Sequence, residues 1–243
     1  MKVIIRKDYE EMSRDTAKHI MDYVNENPEA LLCLAGGDTP LKTYEYLVKG
    51  EKEGKVDFSK CSFVSLDEWG GLGPKTKGSC VETLYNHLYN KLDIDVDKQV
   101  CFFNGKAESL EEECKRVDEF IFSKGGISIS LLGIGMNGHL GFNEPGVDIN
   151  LYSTIVPLDP VTKSVGKKYF EEDLDLKVGI TLGLKHLLNS KNIIVIANDV
   201  KKADIVKETV EGEISNKVPS TLARTNKESF IYLDEAAASK LDK

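Results

Sequence analysis

The chain has 243 residues, is 41% hydrophobic and carries a formal net charge of -8. That size and apolar fraction suit one α/β domain with a full core, and the acidic balance gives no electrostatic support for nucleic-acid binding, which needs clustered Lys and Arg. Five cysteines (Cys33, Cys61, Cys80, Cys101 and Cys114) without a CxxC pair indicate neither a disulfide framework nor a zinc or other metal site.

The N-terminal stretch MKVIIRKDYEE has too short an apolar run for a signal peptide. No later run approaches the ~20 residues of a membrane span, so no membrane partner is expected. With buried free thiols as the reading of the cysteines, a reducing, cytoplasmic location follows. In chain order, the periodicity predicts a strand at Val3–Ile5, a helix over 8–25, a strand at Leu31–Leu34 and a helix over 40–49. A strand at Ser62–Leu66, a helix over 79–91, a strand at Val100–Phe103 and a helix over 107–123 come next. The remainder reads as strands Ile127–Leu132 and Asn192–Ala197, a helix over 200–211, a strand at Phe230–Leu233 and a helix over 234–241. Strands alternating with helices predict a Rossmann-like open sheet, mostly parallel, with helices on both faces, and one domain spanning 1–243.

Ligands in such sheets bind beyond the carboxyl ends of the strands, and three strand ends carry unusual chemistry. After Leu31–Leu34 comes Gly36-Gly37-Asp38-Thr39-Pro40, with Thr39 suited to a helix N-cap, Pro40 to the first helical position and Gly50 to the helix end. Glycines before a helix N-terminus make an anion site or, more simply, a tight turn; Asp38 would have to point away from an anion. After Ser62–Leu66 comes Asp67-Glu68, of which at most one side chain can face a given site because neighbouring strand residues point to opposite faces. After Ile127–Leu132 comes GIGMNGHLGFNEPG, residues 133–146, where Gly138 and Gly141 flank His139 and would let a ligand approach the chain. His139 with Glu144 five residues on reads as a base with its orienting carboxylate. His19, His87 and His186 fall in helical patterns and read as packing or surface residues.

Four blocks, AGGDTP (35–40), LDEWGGL (66–72), GIGMNGHLGFNEPG (133–146) and VKKADIVKETVEG (200–212), resemble the glucosamine-6-phosphate deaminase family across nearly the whole chain. The related 6-phosphogluconolactonases share the glycine–histidine core but lack Phe142-Asn143-Glu144-Pro145. The resemblance implies the fold shared by these deaminases and lactonases, no cofactor, and an amino-sugar phosphate as substrate. It implies Asp67 as the base moving a proton between C2 and C1, His139 as the group that opens the pyranose ring, and Glu144 as its orienting partner. Asn137 falls where many members carry Asp, and is expected to hold the imidazole by hydrogen bonds without charge. The phosphate is expected against Gly36, Gly37, Asp38 and Thr39, with Lys202 matching a family lysine and Lys168 falling where an Arg is expected. Val147, Thr154 and Val156 stand at the allosteric members' effector positions, so a monomer or small homo-oligomer is expected rather than an allosteric hexamer. Asp38 and the segments 69–73 and 78–80 also resemble galactosamine-6-phosphate isomerases, which keeps the C4 epimer open as the substrate. A lactonase would not need Asp67, and a sugar-phosphate sensor would carry a DNA-binding segment ahead of the first strand at Val3.

Overall fold

The computed structural model describes residues 1–166, 170 and 176–242. These form two sheets. The larger contains β1 (Lys2–Arg6), β2 (Leu31–Leu34), β3 (Ser62–Ser65), β5 (Val100–Cys101), β6 (Ile129–Gly133), β9 (Asn192–Ala197) and β10 (Ser229–Asp234), in the order β1-β10-β9-β6-β2-β3-β5. Every pairing in it is parallel. The smaller sheet is antiparallel and contains β4 (Asp67–Trp69), β8 (Val178–Thr181) and β7 (Thr154–Pro157), in that order.

Alternate residues of the long strands serve opposite faces, which is why they read as unbroken apolar runs. Leu32, Leu34, Phe63, Ile129, Leu131, Ile194 and Ile196 pack under α1 (Tyr9–Glu26), α2 (Leu41–Lys52) and α3 (Cys80–His87), through Ile20, Leu47 and Leu84 among others. Cys33, Val64, Leu132, Ile193, Val195 and Ile231 pack on the other face under α5 (Leu110–Ser123), α7 (Leu184–Leu188) and α8 (Ala203–Glu211). The short helices α4 (Val96–Gln99) and α6 (Pro160–Gly166) complete the set. All five cysteines are free and buried.

The order places a switch point between β2 and β6. From β2 the chain moves outward to β3 on one side, and from β6 to β9 on the other. A crevice opens at such a point beyond the strand ends, and both the 36–39 loop and the 133–146 loop start there.

Several boundaries differ from the sequence reading, each for a local reason. Helix α2 begins at Leu41 with Pro40 at the N-cap and no side-chain cap, so Thr39 does not cap it. It also runs through Gly50 to Lys52, because Gly50 faces α1, where a Cβ would stand 2.2 Å from the Met21 sulfur. The predicted 79–91 helix stops at His87 and resumes as a 3-10 turn, Tyr89–Lys91. The 200–211 helix is likewise a 3-10 turn, Val200–Lys202, running into α8. The predicted 234–241 helix is a series of turns: Ser239 and Leu241 donate to the carbonyls three residues back, while the Asp234 carboxylate takes the Ala237 N–H. The smaller sheet was not predicted at all.

Candidate active site

A cleft of about 220 Å³ lies at the switch point, lined by the 36–39 loop, the start of β4, the 133–141 loop, one face of α6 and Lys202. It gathers Gly36, Gly37, Asp38, Thr39, Asp67, His139 and Lys202. Asn137 and Glu144 stand behind His139, and Lys168 lies outside the described residues.

Asp67 is the first residue of β4, where the chain leaves the large sheet for the small one and pairs with Thr181. It is buried, and its Oδ1 has no hydrogen-bond partner among the described residues. Burial pushes its pKa up to about 7; the Cys80 thiol beside it acts in the opposite direction and the neighbouring Glu68 charge adds to the rise. Alternation sends Glu68 the other way. Its carboxylate accepts the N–H groups of Trp69 (2.8 Å), Cys80 (3.1 Å) and Val81 (3.0 Å), two of them at the start of α3. One carboxylate of the pair faces the cleft and the other holds a helix end, as the strand period requires.

His139 is fixed from two sides. Its Nδ1 lies 3.3 Å from Glu144 Oε2 and 3.2 Å from Thr162 Oγ1. A carboxylate only accepts, so Nδ1 carries the proton and Nε2 is left as an acceptor. The ring lies flat against the chain at Gly135: a Cβ there would stand 2.4 Å from its Cδ2, Cε1 and Nε2. Burial alone would raise the Glu144 pKa, but hydrogen bonds from His139, Thr162 and Asn137, and its attraction to an imidazolium at His139, outweigh it and bring it down to about 2. Asn137 departs from expectation. It does not hold the imidazole; its Nδ2 donates to Glu144 Oε2 at 2.8 Å and its Oδ1 accepts the backbone N–H of His139 at 3.2 Å. Two residues back along the loop from His139, its side chain lies nearer the backbone and the carboxylate than the ring.

The neighbouring glycines answer to packing and to positive φ, and Gly141 also lines the cleft. A Cβ at Gly138 would meet Val218, and one at Gly141 would meet Thr181 and Leu66. In the FNEP segment, Phe142 packs at a tilt against Trp69 with ring centroids 4.6 Å apart, and Asn143 donates to the carbonyls of Leu140 and Leu182, both at 2.8 Å.

The 36–39 loop has the features of an anion cradle. Gly37 holds φ 130°, and among the described residues the N–H groups of Gly36, Gly37 and Thr39 make no hydrogen bond. Tyr9 braces the loop from behind, donating to Thr39 O at 2.9 Å. Lys202 reaches the same cleft and donates to Ile134 O at 2.5 Å. Asp38 is exposed at the rim.

Thr162 and Cys80 were missed in the sequence. Thr162 sits on α6, whose Asp159-Pro160 start is a helix signal: Asp159 Oδ1 accepts the Val161 N–H at 2.8 Å. Nothing in the sequence ties that helix to His139, 23 residues earlier. Cys80 figures in the sequence only within the segment 78–80, and its place beside Asp67 depends on the turn of β4.

A family model described as "Glucosamine-6-phosphate isomerases/6-phosphogluconolactonase" matches residues 7–232. The glucosamine-6-phosphate deaminase of Thermoanaerobacter sp. (strain X514) is 38% identical over 240 residues, 98% of this chain and 94% of that one. That of Clostridium perfringens (strain 13 / Type A) is 37% identical over 243 residues, 99% of this chain and 100% of that one. Among solved structures, a monomeric glucosamine-6-phosphate deaminase matches with a TM-score of 0.95 and 33% identity, covering 99% of this chain and 100% of that one. The 6-phosphogluconolactonase of Thermotoga maritima shares the fold, with a TM-score of 0.76 and 20% identity over 96% of this chain and 98% of that one.

Proposed function

Because the chain belongs to the glucosamine-6-phosphate isomerase/6-phosphogluconolactonase family, we propose that it is an amino-sugar-6-phosphate deaminase converting glucosamine-6-phosphate and water to fructose-6-phosphate and ammonia. The observation that carries this reading is the pairing, in one cleft, of a carboxylate whose pKa is raised to about 7 with a histidine backed by a fully ionised carboxylate. Lactone hydrolysis needs one general base. Ring opening followed by proton transfer between carbons needs two separate proton-handling groups.

In this mechanism His139 Nε2 takes the proton of the anomeric hydroxyl and returns one to the ring oxygen, opening the pyranose. Glu144 stabilises the imidazolium formed on the way, held by Asn137 and Thr162. Asp67 removes the C2 proton and delivers it to C1, while a proton passes from the amino nitrogen to the C1 oxygen, giving a fructosimine. Water then adds at C2, and ammonia leaves as the ketone forms. The phosphate is held by the N–H groups of Gly36, Gly37, Asp38 and Thr39 and by the Lys202 ammonium, and the family resemblance adds Lys168, outside the described residues, as a further phosphate cation. A base poised near neutral pH suits this work, since it must both accept and return a proton.

The test is ammonia release from purified protein given glucosamine-6-phosphate or galactosamine-6-phosphate. Release from the first supports the proposal. Release from the galactosamine sugar alone would move the substrate to the C4 epimer while keeping the same residues. Hydrolysis of 6-phosphogluconolactone with no ammonia from either sugar would overturn the deaminase reading.

A further inference from the structure

Among the described residues, Asp199 is the one non-glycine residue with positive φ. At φ 76° and ψ 142° it occupies backbone territory that glycine enters freely and other residues hold only under constraint. The constraint is visible. The Asp199 N–H donates to both carboxylate oxygens of Asp234, at 3.2 and 3.1 Å. Its Oδ1 accepts the Lys201 N–H at 2.9 Å, and its carbonyl accepts the Lys202 N–H at 3.0 Å. Asp234 is itself anchored at the end of β10, where it is 7% exposed and accepts the Ala237 N–H at 2.7 Å. The residue that emerges from this turn is Lys202, whose ammonium crosses to the Ile134 carbonyl at the end of β6 and lines the cleft.

Two carboxylates so close to a lysine assigned to an anion make little sense as electrostatics, since each weakens the field the anion feels. They make sense as geometry. Both side chains accept backbone N–H groups, and the bonds to Asp234 lock the conformation that brings the chain from β9 into the Lys202 turn.

We propose that Asp199 and Asp234 are positioning residues for Lys202: the positive-φ turn at 199, locked by Asp234, aims the ammonium into the phosphate end of the cleft. This rests on the reading of Lys202 as a phosphate ligand, so the test separates the two. Inorganic phosphate is the probe, measured as a competitive inhibitor and by calorimetric titration, alongside kcat, KM and the thermal midpoint. Lys202→Ala is the reference for full loss of the contact. Asp199→Gly keeps the backbone conformation without the strain, and is expected to retain phosphate affinity with an equal or higher thermal midpoint. Asp199→Val resists positive φ, and Asp234→Ala removes the lock. Each is expected to weaken phosphate binding about tenfold or more and to raise KM with kcat little changed, because a misplaced binding group loses most of its contribution. If Asp199→Val does not fold, Asp234→Asn, with one acceptor oxygen in place of two, is expected to show a smaller loss in the same direction.

Wild-type phosphate affinity in the folded Asp199→Val and Asp234→Ala proteins, with Lys202→Ala impaired, would overturn the positioning role and leave Lys202 as a phosphate ligand. An Asp199→Gly protein as weak as Asp199→Val would also overturn it, since the side chain rather than the backbone conformation would then be what matters. No effect of Lys202→Ala would overturn both the inference and the phosphate reading.

Discussion

Asp67 and Glu144 serve one cleft and each is 7% exposed, yet their pKa values move in opposite directions, to about 7 and about 2. Burial raises both carboxylates, more strongly at the fully enclosed Asp67, and at Glu144 the donors and the imidazole outweigh it. Glu144 has an amide donor in Asn137, a hydroxyl in Thr162 and an imidazole in His139. Asp67 has an unpartnered oxygen among the described residues and only a thiol nearby. A carboxylate that must stabilise a cation is surrounded by donors, and one that must take a proton from carbon is deprived of them. Glu68, the immediate neighbour of Asp67, collects three backbone N–H bonds and is still raised to about 7 by burial, so neutral donors alone do not bring a buried carboxylate down; at Glu144 the imidazole acts with them.

The largest expected effect falls on the under-solvated member. Asp67→Asn keeps the shape of the side chain and removes the base, so kcat should fall by about 10²–10⁴-fold while inorganic phosphate still binds with wild-type affinity. Steady-state ammonia release with phosphate inhibition checks both, and a substantially active Asp67→Asn enzyme would remove Asp67 from its role. The matching change on the other side leaves every polar group in place. Gly135→Ala puts a methyl group where the His139 ring lies, so the imidazole must shift. A displacement of about 1 Å can cost ~10²-fold in kcat. Retained activity in Gly135→Ala would mean that the ring's placement against the loop is not what presents Nε2 to the sugar.

The difference between the two carboxylates also marks what the sequence could disclose. The seven strands of the large sheet were legible because each is a short apolar run bounded by turns, a signal that local residues carry alone. The histidine loop was legible because glycines, His139 and Glu144 fall within one continuous segment. The smaller sheet was not: β4 reads only Asp-Glu-Trp and pairs with β8 more than a hundred residues later. Asp67 could be named from its place after a strand and from the family resemblance, but its surroundings could not, because they come from Cys80, Glu68 and a sheet invisible in the pattern. For the same reason Asn137 was assigned to the wrong part of His139. Sequence spacing placed it next to the histidine but did not tell ring from backbone. Thr162 was missed altogether, because its contact crosses from the histidine loop to helix α6, segments with no shared period.

A smaller effect is expected in the pH dependence of catalysis. Asp67 must be ionised to act, so kcat/KM should rise with pH through a midpoint near 7 on the acid side. Glu144, at about 2, stays ionised throughout this range and adds no step. A profile that is flat between pH 5 and 8 would sink the idea that an under-solvated Asp67 is the essential base.

The smallest effect is thermodynamic, and it has opposite signs at the two residues. For Asp67 the native pKa of about 7 lies above the unfolded value, which is near 3.9. Between these values the native state binds more protons than the unfolded chain, so this group makes stability fall as pH rises from about 4 to about 7, by on the order of 4 kcal/mol. For Glu144 the native value of about 2 lies below the unfolded one, near 4.3. Its contribution, on the order of 3 kcal/mol, is complete above about pH 4.3 and disappears as pH falls toward 2. Glu68 is also raised to about 7 by burial and steepens the wild-type slope in the same direction as Asp67, so only differences between wild type and single variants separate the residues. Relative to wild type, Asp67→Asn should gain stability between pH 4 and pH 8, because it removes a charge that the fold leaves poorly solvated. Glu144→Gln should lose stability at pH 7 and approach wild type near pH 2. Urea unfolding of the three proteins across this range measures both. An Asp67→Asn protein less stable than wild type at pH 8 would show that the cleft stabilises the Asp67 charge after all, and the proposed division between a deprived base and a saturated partner would fail with it.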